Sequence, residues 1–163
     1  MSIGSNWAGY HEYAAAALHR PTSIDELREI VAAAPRIRAL GSRHSFNDLA
    51  DSAELVSLDG LEPSILVDDD SETVSFSAGV RYGELAAELQ AQGWALRNMA
   101  SLPHISVAGA VATSTHGSGD RNGTLARAVS GLELVTADGG LRTISPADDE
   151  VDAWHDRRTE RVA

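Results

Sequence analysis

From Ser106 to Gly119 the chain reads SVAGAVATSTHGSG, in which every residue but His116 is Ala, Gly, Ser, Thr or Val. A segment with so little side chain cannot fill a core alone, so it must lie against something larger. Two arrangements meet that demand. One is a small-residue helix packed closely against another element. The other is a backbone whose amides come within hydrogen-bonding distance of a flat or elongated ligand. The preceding stretch, Asn98-Met-Ala-Ser-Leu-Pro-His-Ile105, and the closing Gly117-Ser-Gly119 turn extend the unusual region at both ends.

A second group of small polar residues stands elsewhere in the chain. In Arg38-Ala-Leu-Gly-Ser-Arg-His-Ser-Phe-Asn47, the residues Gly41, Ser42, Arg43, His44 and Ser45 lie directly behind a short apolar run. They form either an ordinary turn or a backbone cradle for an anion with a histidine at its rim. Two separated amide-rich loops suit a diphosphate even in an acidic chain, because backbone N–H groups and a helix N-terminus can meet its charge. Neither single-motif cradle is present: no Gly-x-Gly-x-x-Gly follows a strand, and no Gly-x-x-x-x-Gly-Lys-Ser/Thr occurs.

The surrounding pattern predicts a mixed α+β unit. Ser23-Ile-Asp-Glu26 has the form of a capping box, in which the serine hydroxyl accepts from the third helical amide while Glu26 reaches back. Ile24, Leu27, Ile30 and Val31 then share one helical face, and Pro35 ends the run. Strands are expected over residues 37–40, 55–58, 65–67 and 73–78, with a solvated acidic turn at 68–72. A second helix is expected over 82–92, closed by Gly93, with a returning strand over 94–96. Residues 132–135 and 141–144 read as a hairpin around Ala137-Asp-Gly-Gly140. At 163 residues, 43% hydrophobic and 23% charged, the chain is long enough for one domain with a real core.

Composition removes several classes of function. Thirteen Lys and Arg against 24 Asp and Glu give a net charge of −11, which argues against nucleic acid and anionic membranes as partners. The absence of cysteine excludes disulfides, thiolate zinc sites and cysteine nucleophiles. His104 and His116 stand twelve apart without a carboxylate at ligand spacing, so no metal site is expected. A Gly-x-Ser-x-Gly elbow for a hydrolase is missing. His11, His19 and His155 read as surface residues, and with no apolar run long enough to span a bilayer the expected location is the cytoplasm.

Taken together, GSRHSFN at 41–47 and NMASLPHISVAGAVATSTHGSG at 98–119 resemble the FAD-binding (PCMH-type) domain of the vanillyl-alcohol oxidase/p-cresol methylhydroxylase superfamily. Within it the similarity is greatest to alditol (xylitol) oxidases, with sugar-lactone oxidases nearby. Asn6-Trp-Ala-Gly9, Pro21-Thr-Ser-Ile-Asp-Glu-Leu27, Ala78-Gly-Val-Arg-Tyr-Gly-Glu-Leu-Ala86 and Glu133-Leu-Val-Thr-Ala-Asp-Gly139 extend the match. The resemblance implies two small α/β subdomains with FAD between them, over residues 6–144, followed by a divergent tail at 145–163.

The same resemblance assigns roles. The loop Gly41, Ser42, Arg43, His44, Ser45 would wrap the FAD pyrophosphate, and His44 would be bonded covalently to the flavin 8α carbon. Ser101 would face flavin and substrate as the catalytic-site hydroxyl, with His104 beside the flavin ring. Ser106, Val107, Ala108, Gly109, Thr113, His116, Gly117, Ser118 and Gly119 would line the cofactor. Arg43 departs from the family, which typically has glycine there; it could add charge for the pyrophosphate, or clash if the backbone must take a positive φ. Complete relatives oxidise a polyol CH–OH group with dioxygen, giving an aldose and hydrogen peroxide. They continue into a substrate domain that the tail does not resemble, so this chain alone is expected to be inactive and to self-associate through exposed apolar surface. The alternatives are a non-catalytic flavin- or nucleotide-binding remnant and a sugar-1,4-lactone oxidase relative.

Overall fold

The computed structural model describes residues 3–145, so all but the first residue of the expected tail, His155 included, lies outside the described residues. Two small hydrophobic cores organise the chain. The first gathers around a parallel sheet of β1 (Ala17–His19), β2 (Ile37–Ala39) and β3 (Glu54–Val56), in the order β1-β3-β2. Leu55, fully buried in the central strand, stands opposite Leu18 on one side and Arg38 on the other. Tyr13, Leu40 and Leu55 make the core, with Ile3, Ala15, Leu18 and Ala50 packed against it.

Helix α1 (Ile24–Ala33) joins β1 to β2. Its start follows the expected chemistry, with one difference. Ser23 Oγ accepts from the Glu26 amide at 3.2 Å, but the Glu26 carboxylate accepts from the amide and hydroxyl of Thr22, one residue before the cap. Those two bonds hold the Glu26 carboxyl below its ordinary range.

The second core carries the larger share of buried apolar residues, among them Val80, Tyr82, Leu85, Leu89, Ile105, Val107 and Leu125. Over it lie the antiparallel pair β4 (Ile65–Asp68) and β5 (Thr73–Phe76) and the helices α2 (Tyr82–Ala91) and α3 (Val107–Ala112). The acidic turn is a self-contained device in which Asp68 Oδ1 accepts from the amides of Asp70 and Ser71. A second hairpin, β6 (Leu132–Val135) with β7 (Leu141–Ile144), is tied to α1 by Arg28 Nε donating to Gly139 O at 2.8 Å.

Three expectations are corrected. Residues 94–96 form no strand: Gly93, at φ +82°, ends α2, and the Gly93 and Trp94 amides turn back to Gln90 O and Leu89 O. Those bonds use the donors a ladder would need, and the Trp94 indole N–H is taken by Asp69. Strand β1 was not anticipated, because three residues of mixed polarity become a strand only through parallel pairing with β3. His11 and His19 are half-buried rather than surface residues, and His19 Nε2 lies 2.7 Å from Glu54 Oε2.

Candidate functional site

The two sequence segments that contain the smallest residues meet where the two cores join. The loop after β2 brings Ser42 against the start of α3, and Ser42 Oγ accepts from the Ser106 amide at 3.2 Å across 64 residues of chain. Ser106 is the N-cap of α3, yet its side chain makes no capping bond. Its hydroxyl is buried, has no hydrogen-bond partner, and sits between two glycines. A Cβ on Gly41 would come within 2.7 Å of Ser106 Oγ, and one on Gly109 within 2.6 Å. Any side chain at either position would fill the notch that this hydroxyl occupies.

Beside the notch stands a cluster of rings. His44 lies 5.3 Å from His104 between ring centroids, 4.8 Å from Trp7 and 5.8 Å from Phe46, while Trp7 stacks on His104 at 6.1 Å. His44 Nδ1 and His104 Nε2 are both buried and both without a hydrogen-bond partner. Leaving a buried imidazole nitrogen unpaired costs about 1–3 kcal/mol. The two segments thus leave two imidazole nitrogens and one hydroxyl buried without partners.

The backbone around His44 is fastened from the N-terminal side. Trp7 N donates to Arg43 O at 2.8 Å and Asn6 Nδ2 to Ser45 O at 3.0 Å, so the carbonyls on both sides of His44 are held. Asn6 is 3% exposed, and its Oδ1 accepts from the amides of Tyr10 and His11. Arg43 itself takes φ +61°, the left-handed region in which glycine is favoured. Its guanidinium turns away from the notch, donating to Ile3 O at 2.8 Å and lying 5.6 Å from the Tyr13 ring centroid. Burial raises the Tyr13 phenol above its ordinary value, and the Arg43 charge partly opposes that shift.

The remaining residues singled out from the sequence separate into two groups. Ser101 and Ala108 are exposed beside the notch residues in the chain, whereas Val107 is a core residue whose amide is bonded to Val80 O. Thr113 caps the far end of α3, with its hydroxyl donating to Gly109 O at 3.0 Å. His116, Gly117, Ser118 and Gly119 follow after a turn in which Ser114 takes φ +57° and the Thr115 amide donates to Ala110 O. There His116 Nδ1 donates to Gly117 O, Ser118 O accepts from Asn122 Nδ2, and a Cβ on Gly117 would collide with Asn98 and Met99 O. Residues 106–119 thus form a short small-residue helix followed by a tight loop. Among the described residues no group of three or more His, Asp and Glu could hold a metal ion, and no helix is long and apolar enough to cross a membrane.

Residues 15–145 match the FAD binding domain family. The chain belongs to that family. Alditol oxidase from a Streptomyces species is 49% identical over 148 residues, 88% of this chain and 36% of that protein. L-gulono-1,4-lactone dehydrogenase of Mycobacterium tuberculosis is 36% identical over 152 residues, 90% of this chain and 36% of that protein. The crystal structure of cholesterol oxidase from B. sterolicum superposes with a TM-score of 0.75 at 19% identity, covering 89% of this chain and 32% of that one, a likeness of fold. The chain therefore spans about a third of the length of the curated relatives it matches. As an FAD binding domain it has the expected α+β architecture of two small subdomains, and the notch at their junction fits the cofactor. An orphan hydroxyl at a helix start between two glycines can donate to a phosphate oxygen, and the exposed Trp7 and Phe46 rings offer apolar surface to a flavin. Asn6 and Trp7 were not assigned a role from sequence; the Asn6-Trp-Ala-Gly9 stretch was the available signal.

Proposed function

We propose that residues 6–144 are the FAD-binding part of an alditol-oxidase-like flavoprotein, which oxidises a polyol CH–OH group with dioxygen as acceptor to give an aldose and hydrogen peroxide. The observation that carries this reading is the 49% identity to alditol oxidase across 88% of the chain. Bound FAD supplies the hydride-accepting ring. Gly41, Ser42, Ser106 and Gly109 hold its pyrophosphate with backbone amides and two hydroxyls, and His116 to Gly119 extend the cradle past α3. His44 is the covalent tether. Ser101, exposed next to that cradle, donates to or accepts from a polyol hydroxyl. The 36% identity to a lactone dehydrogenase favours a sugar-lactone as the second substrate reading.

The chain spans about a third of its relatives' length. These residues are expected to bind FAD. Intact-mass spectrometry of the acid-denatured chain, beside a His44→Ala variant, tests the tether. The expected result is a gain equal to one FAD, lost in the variant. A yellow protein that releases all its FAD in acid would refute the tether while leaving FAD binding intact.

A further inference from the structure

We infer that the cavity between the second half of α1 and the strands β1 and β3 is a binding site for a small organic ammonium ion, a primary amine with a short apolar tail. The cavity measures about 320 Å³ and is lined by His19, Glu29, Ile30, Ala33, Ala34 and Glu54. None of these residues belongs to the notch or to the rings beside it, so the site stands independently of the proposed cofactor and substrate.

Charge complementarity selects the guest. Glu29, Ile30, Ala33 and Ala34 are three or four residues apart along α1, which sets them on one surface of the helix. Parallel pairing of β1 with β3 sets Ala17 opposite Glu54 and His19 opposite Val56, which brings His19 and Glu54 together on the facing wall. His19 Nε2 lies 2.7 Å from Glu54 Oε2, a contact that requires the nitrogen to carry the proton. With that N–H committed, the remaining oxygens of Glu54 and both oxygens of Glu29 can only accept, and among the described residues Glu29 has no ion pair. Helix α1 adds to the same sign: its last turn holds no basic residue, so the negative end of its dipole is uncompensated at Ala34. The nearby arginines are engaged elsewhere, Arg20 with Asp59 and Arg28 with Asp25 and Gly139 O, and neither lines the cavity. An ammonium group brings three donors and a positive charge to these acceptors. Ile30, Ala33 and Ala34 offer its tail an apolar wall, and the volume, at the lower end of the range of about 300–1,000 Å³ usual for ligand cavities, keeps the guest small. A metal ion does not fit the donor set, since among the described residues no group of three His, Asp or Glu could hold one.

The test titrates n-butylammonium chloride into the isotope-labelled full chain and follows the amide signals by NMR. Two controls run beside it: n-butanol, which keeps the tail without the charge, and ammonium chloride, which keeps the charge without the tail. Saturable shifts are expected at His19, at Glu54 and along the second half of α1, with both controls binding at least about threefold more weakly. Glu29→Gln and Glu54→Gln should each weaken butylammonium by about threefold, the size of a partly exposed ion pair. Ala33→Leu, at an exposed helical position, should fill the space and abolish the shifts with both carboxylates intact. The same spectra report that each variant is folded. Wild-type binding by Ala33→Leu overturns the inference, as do equal saturation by n-butanol and unsaturated shifts spread over the acidic surface. Tighter binding of a lysine tripeptide than of butylammonium would also overturn it, in favour of a side chain from a partner protein.

Discussion

Arg43 stands at φ +61°, and the pair of variants Arg43→Gly and Arg43→Ala measures what that conformation costs. Both truncations lose the same contacts, the bond to Ile3 O at 2.8 Å and the guanidinium near Tyr13 at 5.6 Å, so those losses cancel in the difference between them. What remains is the backbone. An alanine in the left-handed region costs about 1–2 kcal/mol, which glycine avoids. Glycine in turn has a freer unfolded chain, a disadvantage of about 0.4–1 kcal/mol. The backbone term wins, and Arg43→Gly should be more stable than Arg43→Ala by about 0.5–1 kcal/mol. For a chain of this size that is a difference of about 1–4 °C in melting temperature. Against wild type both should lose stability, because a charge-assisted hydrogen bond of about 1.5 kcal/mol and a cation–π contact of about 0.5–1 kcal/mol exceed the strain relieved.

Urea unfolding monitored by circular dichroism, with matched m-values, reads the comparison directly. If Arg43→Ala proves as stable as Arg43→Gly or more so, the positive φ carries no strain and the reasoning fails. The outcome bears on the cradle as well. A glycine at this position would adopt the turn without strain, whereas Arg43 adopts it with its side chain bonded to Ile3 O and lying near the Tyr13 ring. The positive φ considered for this position from the sequence is present, and the guanidinium is engaged with Ile3 O and the Tyr13 ring.

Two further outcomes are expected. Ser106→Ala removes a buried hydroxyl with no partner, so the FAD-free chain should unfold at the same urea concentration or gain about 1 kcal/mol, while FAD affinity measured by flavin fluorescence falls about tenfold. A loss of stability in that variant would show the hydroxyl already bonded within the protein. Burial raises the Tyr13 phenol above its usual value near 10, so the folded state holds its proton more tightly than the unfolded state. That stability is present in full below pH 10 and declines as pH rises towards the folded value. Tyr82, raised by burial in the same direction, should leave a residual alkaline slope when Tyr13→Phe removes its share. An unchanged slope between pH 9 and 11 would refute the assignment.

Legibility in the sequence tracked how local each cause is. Helix α1 could be read because Ser23 and Glu26 act within four residues, and α2 ended where Gly93 required it to. Strand β1 could not, since Ala17–His19 owes its conformation to β3, 35 or more residues away. Residues 94–96 look like a strand by composition, and only the turn-back of their first amide to Leu89 shows otherwise. The site divides the same way. Gly41, His44, Ser106 and Gly109 stand out as residue types, but nothing in the chain says that Ser42 and Ser106 touch, or that the Ser106 hydroxyl is left without a partner.

Asn6 was the hardest residue to recognise, and it explains why the His44 loop holds its shape. A lone buried asparagine has no periodicity, and its value lies in serving three backbone groups at once, two as acceptor and one as donor. With Trp7 N on Arg43 O and Asn6 Nδ2 on Ser45 O, the peptide units on either side of His44 are bound to a segment that contributes no residue to the larger core. A strained Arg43 would otherwise relax out of the left-handed region and carry the imidazole with it. The N-terminal segment therefore secures the site more than the fold: weakening it releases the aim of His44 at a small cost in burial, whereas the same loss of bonds inside α2 would unseat Leu85 and Leu89 from the core.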